Sequence, residues 1–132
     1  MLRNVLAFVA GLAVSIAVIS GFQYLNSLLF PLPAGLDPKN PDDVAAIMIQ
    51  APFLAMLGVE ISYAAGAFLG GAIVGKIVSG RAVAFALGLG ALLTVFNITN
   101  LVSIPHPLWM AILTTITFVP LTWLGARLTA RG

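Results

Sequence analysis

Four apolar runs decide what this chain can become: residues 4 to 30, 53 to 75, 82 to 104 and 107 to 126. As helices rising about 1.5 Å per residue, each is long enough to cross about 30 Å of hydrocarbon. Inside a bilayer the backbone must bond to itself, so runs of this length become α-helices. Composition agrees, with 61% hydrophobic and 8% charged residues among 132, against about 25% charged in soluble domains. One all-α membrane domain of four transmembrane helices, residues 1 to 132, accounts for the sequence. The first run reads as a retained helix rather than a cleaved leader, because its apolar pattern continues past Ser20 to Phe30.

Charge sorts by connection. Arg3, Lys76, Arg81, Arg127 and Arg131 lie at the N-terminus, the second connection and the C-terminus, whereas the first connection pairs Lys39 with Asp37, Asp42 and Asp43. The positive-inside rule then puts both termini in the cytoplasm. The net charge of +2 therefore reports topology and gives no reason to expect nucleic acid. Without cysteine, disulfide, iron–sulfur and thiol chemistry are excluded.

In the first connection, 31 to 51, prolines and Gly35 stop the helix, and Asn40 then reads as an N-cap ahead of Pro41, Asp42 and Asp43. Val44, Ile47, Met48 and Ala51 make one apolar face, which predicts a short extracytoplasmic helix lying on the membrane surface.

The second run holds Glu60, the one carboxyl group inside an apolar segment. A mid-helix acid costs about 2.5 to 3.5 kcal/mol on insertion, so it should face protein or water rather than lipid. Helical spacing puts Glu60, Ala64, Ala67, Gly71 and Gly75 on one stripe and Gly58, Ser62, Gly66 and Gly70 on another. Small-residue grooves let neighbouring backbones approach closely, which makes this helix the expected packing centre. Its partners are left open: neighbours in the same chain, a second copy, or another subunit.

The ends of the first and third runs turn polar. Gln23, Asn26, Asn97 and Asn100 join Glu60 as the candidate intramembrane site, with Gln23 expected to hydrogen-bond Glu60. Such a cluster can bind a cation, a proton or a small polar solute, or it can simply tie helices together. Trp109 and Trp123 are placed as interfacial anchors, and Pro120 should bend the fourth helix. His106 is a lone imidazole, and Ser103 lacks a nucleophile turn. No metal, cofactor or catalytic set is expected.

The segment FQYLNSLLFPLP (22 to 33) aligns without gaps to FNITNLVSIPHP (96 to 107), with Gln23 on Asn97. Pro52 likewise matches Pro107. These matches describe a 2+2 parallel repeat about an axis along the membrane normal.

The PLPAGLDP segment, AGAFLGGAIVGKI closing the second run, and IPHPLW opening the fourth resemble a group of small bacterial four-helix membrane proteins. That resemblance implies the fold and a place in the bacterial cytoplasmic membrane, and carries no activity. Size and a lone membrane glutamate are similar to the small multidrug-resistance transporters, but that family's acid lies in the first helix and Glu60 lies in the second. The expected function is non-enzymatic, acting by helix packing as an oligomer or as an accessory subunit of a larger membrane complex. The alternative is a minimal transporter or channel using Glu60 as its cation or proton site.

Overall fold

Among the described residues of the computed structural model, five helices follow one another: α1 Leu2–Leu29, α2 Pro41–Gln50, α3 Phe53–Ile77, α4 Ala82–Ser103 and α5 Leu108–Thr129. The structure describes residues 1–32, 34–37, 39–78, 80–103 and 106–130. Pro33, Pro38, Ile104, Pro105 and Arg131, which entered the sequence reading, lie outside the described residues. Four of the five helices are long and apolar enough to cross a membrane, which makes the chain a multi-pass helical membrane protein. Strands are absent among the described residues.

The fifth helix, α2, forms where the N-cap pattern predicts one. Asn40 Oδ1 accepts from the Asp42 backbone N–H at 3.0 Å, Pro41 opens the first turn, and Asp42 and Asp43 follow. No residue of α2 is buried. Its apolar side chains therefore stay outside the core.

Helix α3 is the centre, packing against α1, α5 and α4, while α4 also lies along α5. Side-chain bonds show the directions. Arg3 Nε donates to the Ile77 carbonyl at 2.9 Å and Asn26 Nδ2 to the Ala55 carbonyl at 2.9 Å, so α1 and α3 are antiparallel. Helices α3 and α5 are parallel. Phe53 stacks near Trp109 at 5.1 Å between ring centroids, and farther along Thr129 Oγ1 donates to the Ala72 carbonyl at 2.8 Å.

The two small stripes of α3 receive two different helices. An ideal Cβ on Gly66 would lie 2.9 Å from the Ser15 carbonyl oxygen, and one on Gly70 2.8 Å from that of Gly11. Ser15 Oγ donates to the Gly66 carbonyl at 2.9 Å, and Gly58 sits against the Asn26 amide, so this stripe belongs to α1. On the other stripe, a Cβ on Gly71 or Gly75 would come within 2.6 Å of the Cα of Thr122 or Ala126. Both grooves are filled from within the chain.

Helix α5 continues through Pro120, whose missing N–H leaves the Ile116 carbonyl without its usual partner. At the end of α5 the Arg127 guanidinium lies over the Trp123 ring, 5.3 Å from its centroid. The turn from α3 into α4 uses Gly80 at φ 70° and Arg81 at φ 55°. The left-handed conformation is open to glycine and costs a side-chain-bearing residue about 1 to 2 kcal/mol.

Candidate functional site

Glu60 lies inside the bundle, with 8% of its surface exposed. Met56, Glu60 and Tyr63 share one stripe of α3, because steps of four and three residues return a helix to nearly the same direction. Glu60 is the member rotated toward α5, where its Oε1 hydrogen-bonds with Thr117 Oγ1. Its Oε2 is buried without a hydrogen-bond partner among the described residues.

Thr117 Oγ1 also lies 2.7 Å from the Leu113 carbonyl. A hydroxyl carries one hydrogen and accepts through two lone pairs. One hydrogen can be shared between the Leu113 carbonyl and Glu60 Oε1, so the Thr117 hydroxyl donates toward both and ties the carboxyl to α5.

The expected Gln23–Glu60 bond does not form. Gln23 Nε2 donates instead to Ser62 Oγ at 3.4 Å, and the Gln23 side chain also reaches the Tyr63 hydroxyl. Residues two apart on a helix point about 160° away from one another, so the amide that meets the Ser62 face of α3 cannot also meet Glu60. Asn100 approaches the same Tyr63 hydroxyl from α4, and Glu60 lies close enough to act on it electrostatically. Tyr63 thus joins Gln23, Asn100 and Glu60.

Asn97 and Asn26 do other work. Asn97 is 5% exposed and donates through Nδ2 to Thr114 Oγ1 at 3.0 Å, which in turn donates to the Met110 carbonyl at 2.8 Å. That chain of bonds pins α4 to α5. Asn97→Ala is expected to destabilise the bundle by about 0.6 to 1.7 kcal/mol, the range for interhelical hydrogen bonds in membranes. Unfolding in mixed micelles measures it. Asn26 holds the α1–α3 crossing near its end through Ala55.

Beside this layer, at the α2 end, is a cavity of about 570 Å³ lined by Gln23, Asn26, Met56, Tyr63, Asn100 and His106, with Ile47, Met48 and Gln50 of α2 forming part of its wall. Among the described residues no Lys, Arg, Asp or Glu lines it. Its polar contacts are neutral amides, hydroxyls and one imidazole. No group of three His, Cys, Asp or Glu placed to hold a metal occurs among the described residues.

Sequence reasoning passed over Tyr63, Thr114 and Thr117 as site residues. Tyr63 had a signal, standing three residues after Glu60 on its stripe. The threonines had only their spacing of three along α5, which many membrane helices share.

Comparison with known proteins returns no matching family model, no matching curated protein and no matching solved structure. The site rests on its own geometry.

Proposed function

We propose that this chain is a non-enzymatic membrane protein that binds a small monocationic solute in the cavity at its α2 end, with Glu60, which does not itself line that cavity, as the acid behind Met56 and Tyr63, and works as a minimal transporter or channel. The observation that carries this is the unpartnered Glu60 Oε2, on the stripe of α3 whose Met56 and Tyr63 line the cavity. A buried oxygen without a partner is what an incoming N–H donor would satisfy. A single carboxyl without a cationic neighbour selects positive or neutral solutes over anions.

The packing reading drew its weight from the glycine grooves of α3. Since α1 and α5 occupy both, solute binding is the better supported of the two. Oligomer and accessory-subunit roles then need another surface.

The orientation proposed for the site is outward, in a bacterial cytoplasmic membrane with both termini inside and α2 on the outer surface. The cluster of Arg3, Lys76, Arg81 and Arg127 away from the α2 end supports it. A 2+2 repeat is supported by Gln23 and Asn97, each an amide donating to a hydroxyl of the next long helix, Ser62 and Thr114.

The test uses dicyclohexylcarbodiimide, which forms an acylurea with a protonated carboxyl in an apolar setting. Glu60 is expected to be the labelled residue in proteoliposomes, and methylammonium to slow the labelling by about tenfold, the effect of about 1.4 kcal/mol of occupancy. Labelling indifferent to methylammonium, together with no methylammonium flux above protein-free vesicles, would remove the transport reading.

A further inference from the structure

A second cavity opens where α1 and α4 pass one another. The two helices barely touch, although each is firmly packed on its other side, α1 on α3 and α4 on α5. The gap leaves about 190 Å³, walled by Ile16, Ile19, Leu93, Phe96 and Phe118. Ile16 and Phe96 are 49% and 52% exposed on helices that cross the bilayer, so the mouth of this cavity faces lipid.

Its inner edge is polar. Tyr63 and Asn100 line it, and the same two residues line the larger cavity at the α2 end. The two spaces are therefore neighbours across one tyrosine and one asparagine, and the Tyr63 hydroxyl is reached by Asn100 from α4 and Gln23 from α1. Glu60 lines neither space; it stands one turn before Tyr63 on α3, and its Oε2 has no hydrogen-bond partner among the described residues. The apolar slot thus leads from the acyl chains to a polar edge of Tyr63 and Asn100, with a single acid one helical turn from that tyrosine on α3. No Lys or Arg among the described residues lines either space, so a phosphate or carboxylate head would arrive without a counter-charge.

We infer that the α1–α4 gap is a lateral portal through which an amphipathic monoammonium compound passes from the bilayer, its alkyl tail between Ile16 and Phe96 and its ammonium head turned toward Tyr63 and Glu60. This rests on the proposed cation site and adds its substrate class and route. An alkyl tail exchanges lipid contacts for apolar contacts in the slot, so it stays out of water throughout. The head leaves the interface only where Tyr63, Asn100 and Glu60 replace its water.

The experiment compares methylammonium with dodecylammonium as protectors of Glu60 against dicyclohexylcarbodiimide in proteoliposomes. It uses the wild type, Ser20→Trp and Leu25→Trp. Ser20 lines the lateral slot, and an indole there fills it. Leu25 is an exposed α1 residue outside both cavities and serves as the control. Partitioning into the vesicles is the same for all three proteins and cancels in the comparison.

Ser20→Trp is expected to weaken protection by dodecylammonium about tenfold, an overpacked slot being closed to the tail. It should leave protection by methylammonium within about twofold, and Leu25→Trp should change neither. A photoreactive dodecylammonium with a diazirine in the tail should label Ile16 and Phe96, and excess methylammonium should displace it. If methylammonium protects Glu60 but Ser20→Trp leaves dodecylammonium unaffected, and tail labelling is spread over the lipid-facing surface, the portal is refuted and the cation site stands. If neither amine protects Glu60, the cation site falls and takes the portal with it.

Discussion

Gly71→Leu is expected to abolish the folded bundle, while Gly21→Leu leaves it intact. An ideal Cβ at Gly71 lies 2.6 Å from Thr122 Cα and closer still to that residue's carbonyl oxygen, whereas one at Gly21 meets nothing within 4 Å. The obstruction is backbone, which no change of rotamer relieves. Helices α3 and α5 would have to part, and their separation would undo the Glu60–Thr117 bond, the Thr129–Ala72 bond and the Phe53–Trp109 contact together. Overpacking costs about 1 to 3 kcal/mol where the surroundings yield. Here they are a main chain, so the loss should be at least about 3 kcal/mol, well beyond the gain of about 1 kcal/mol from removing a helical glycine. Unfolding in mixed micelles, followed by circular dichroism and Trp fluorescence, measures the difference. Equal stability of the two variants would mean that α3 and α5 are not in contact at Gly71.

The second large effect is expected at Glu60, where three substitutions separate structure from binding. Glu60→Lys replaces the acid bonded to Thr117 by an ammonium, and a charge at this depth costs about 2.5 to 3.5 kcal/mol on insertion. It should fold poorly. Glu60→Gln keeps an oxygen and a donor at the same point, so its stability should stay within about 1 kcal/mol of the wild type. Glu60→Leu leaves Thr117 bonded to the Leu113 carbonyl at 2.7 Å and replaces an unpartnered oxygen by a methyl group. It should be no less stable than the wild type. Methylammonium flux should nonetheless fall at least tenfold in both Gln and Leu variants, about 1.4 kcal/mol or more of lost binding. If Glu60→Gln instead unfolds as Glu60→Lys does, with flux per folded molecule unchanged, the carboxyl serves only to join helices.

The architecture was largely legible in the chain. Helix ends read from the apolar runs lie within three residues of those observed, because the bilayer forces a local, self-bonded structure whose length the hydropathy records. The N-cap at Asn40 was legible for the same reason: side chain and amide are two residues apart and need no tertiary help. So were the small faces of α3, since both of its stripes follow from a period of 3.6 residues.

Periodicity names the face but not what meets it. The stripe of Gly66 and Gly70 took α1 and that of Gly71 and Gly75 took α5, so of the partners left open by the sequence the neighbours in the same chain fill both grooves. Gln23 and Glu60 looked like partners because both are polar and stand at similar depth in antiparallel helices. Their faces on α3 are nearly opposite, however, and Gln23 met Ser62 and Tyr63 while Glu60 met Thr117. Depth along a helix is set by a count of residues, which sequence contains. Rotation about the axis and choice of neighbour are set by the summed contacts of all the helices at once, so they appear only when the bundle is assembled.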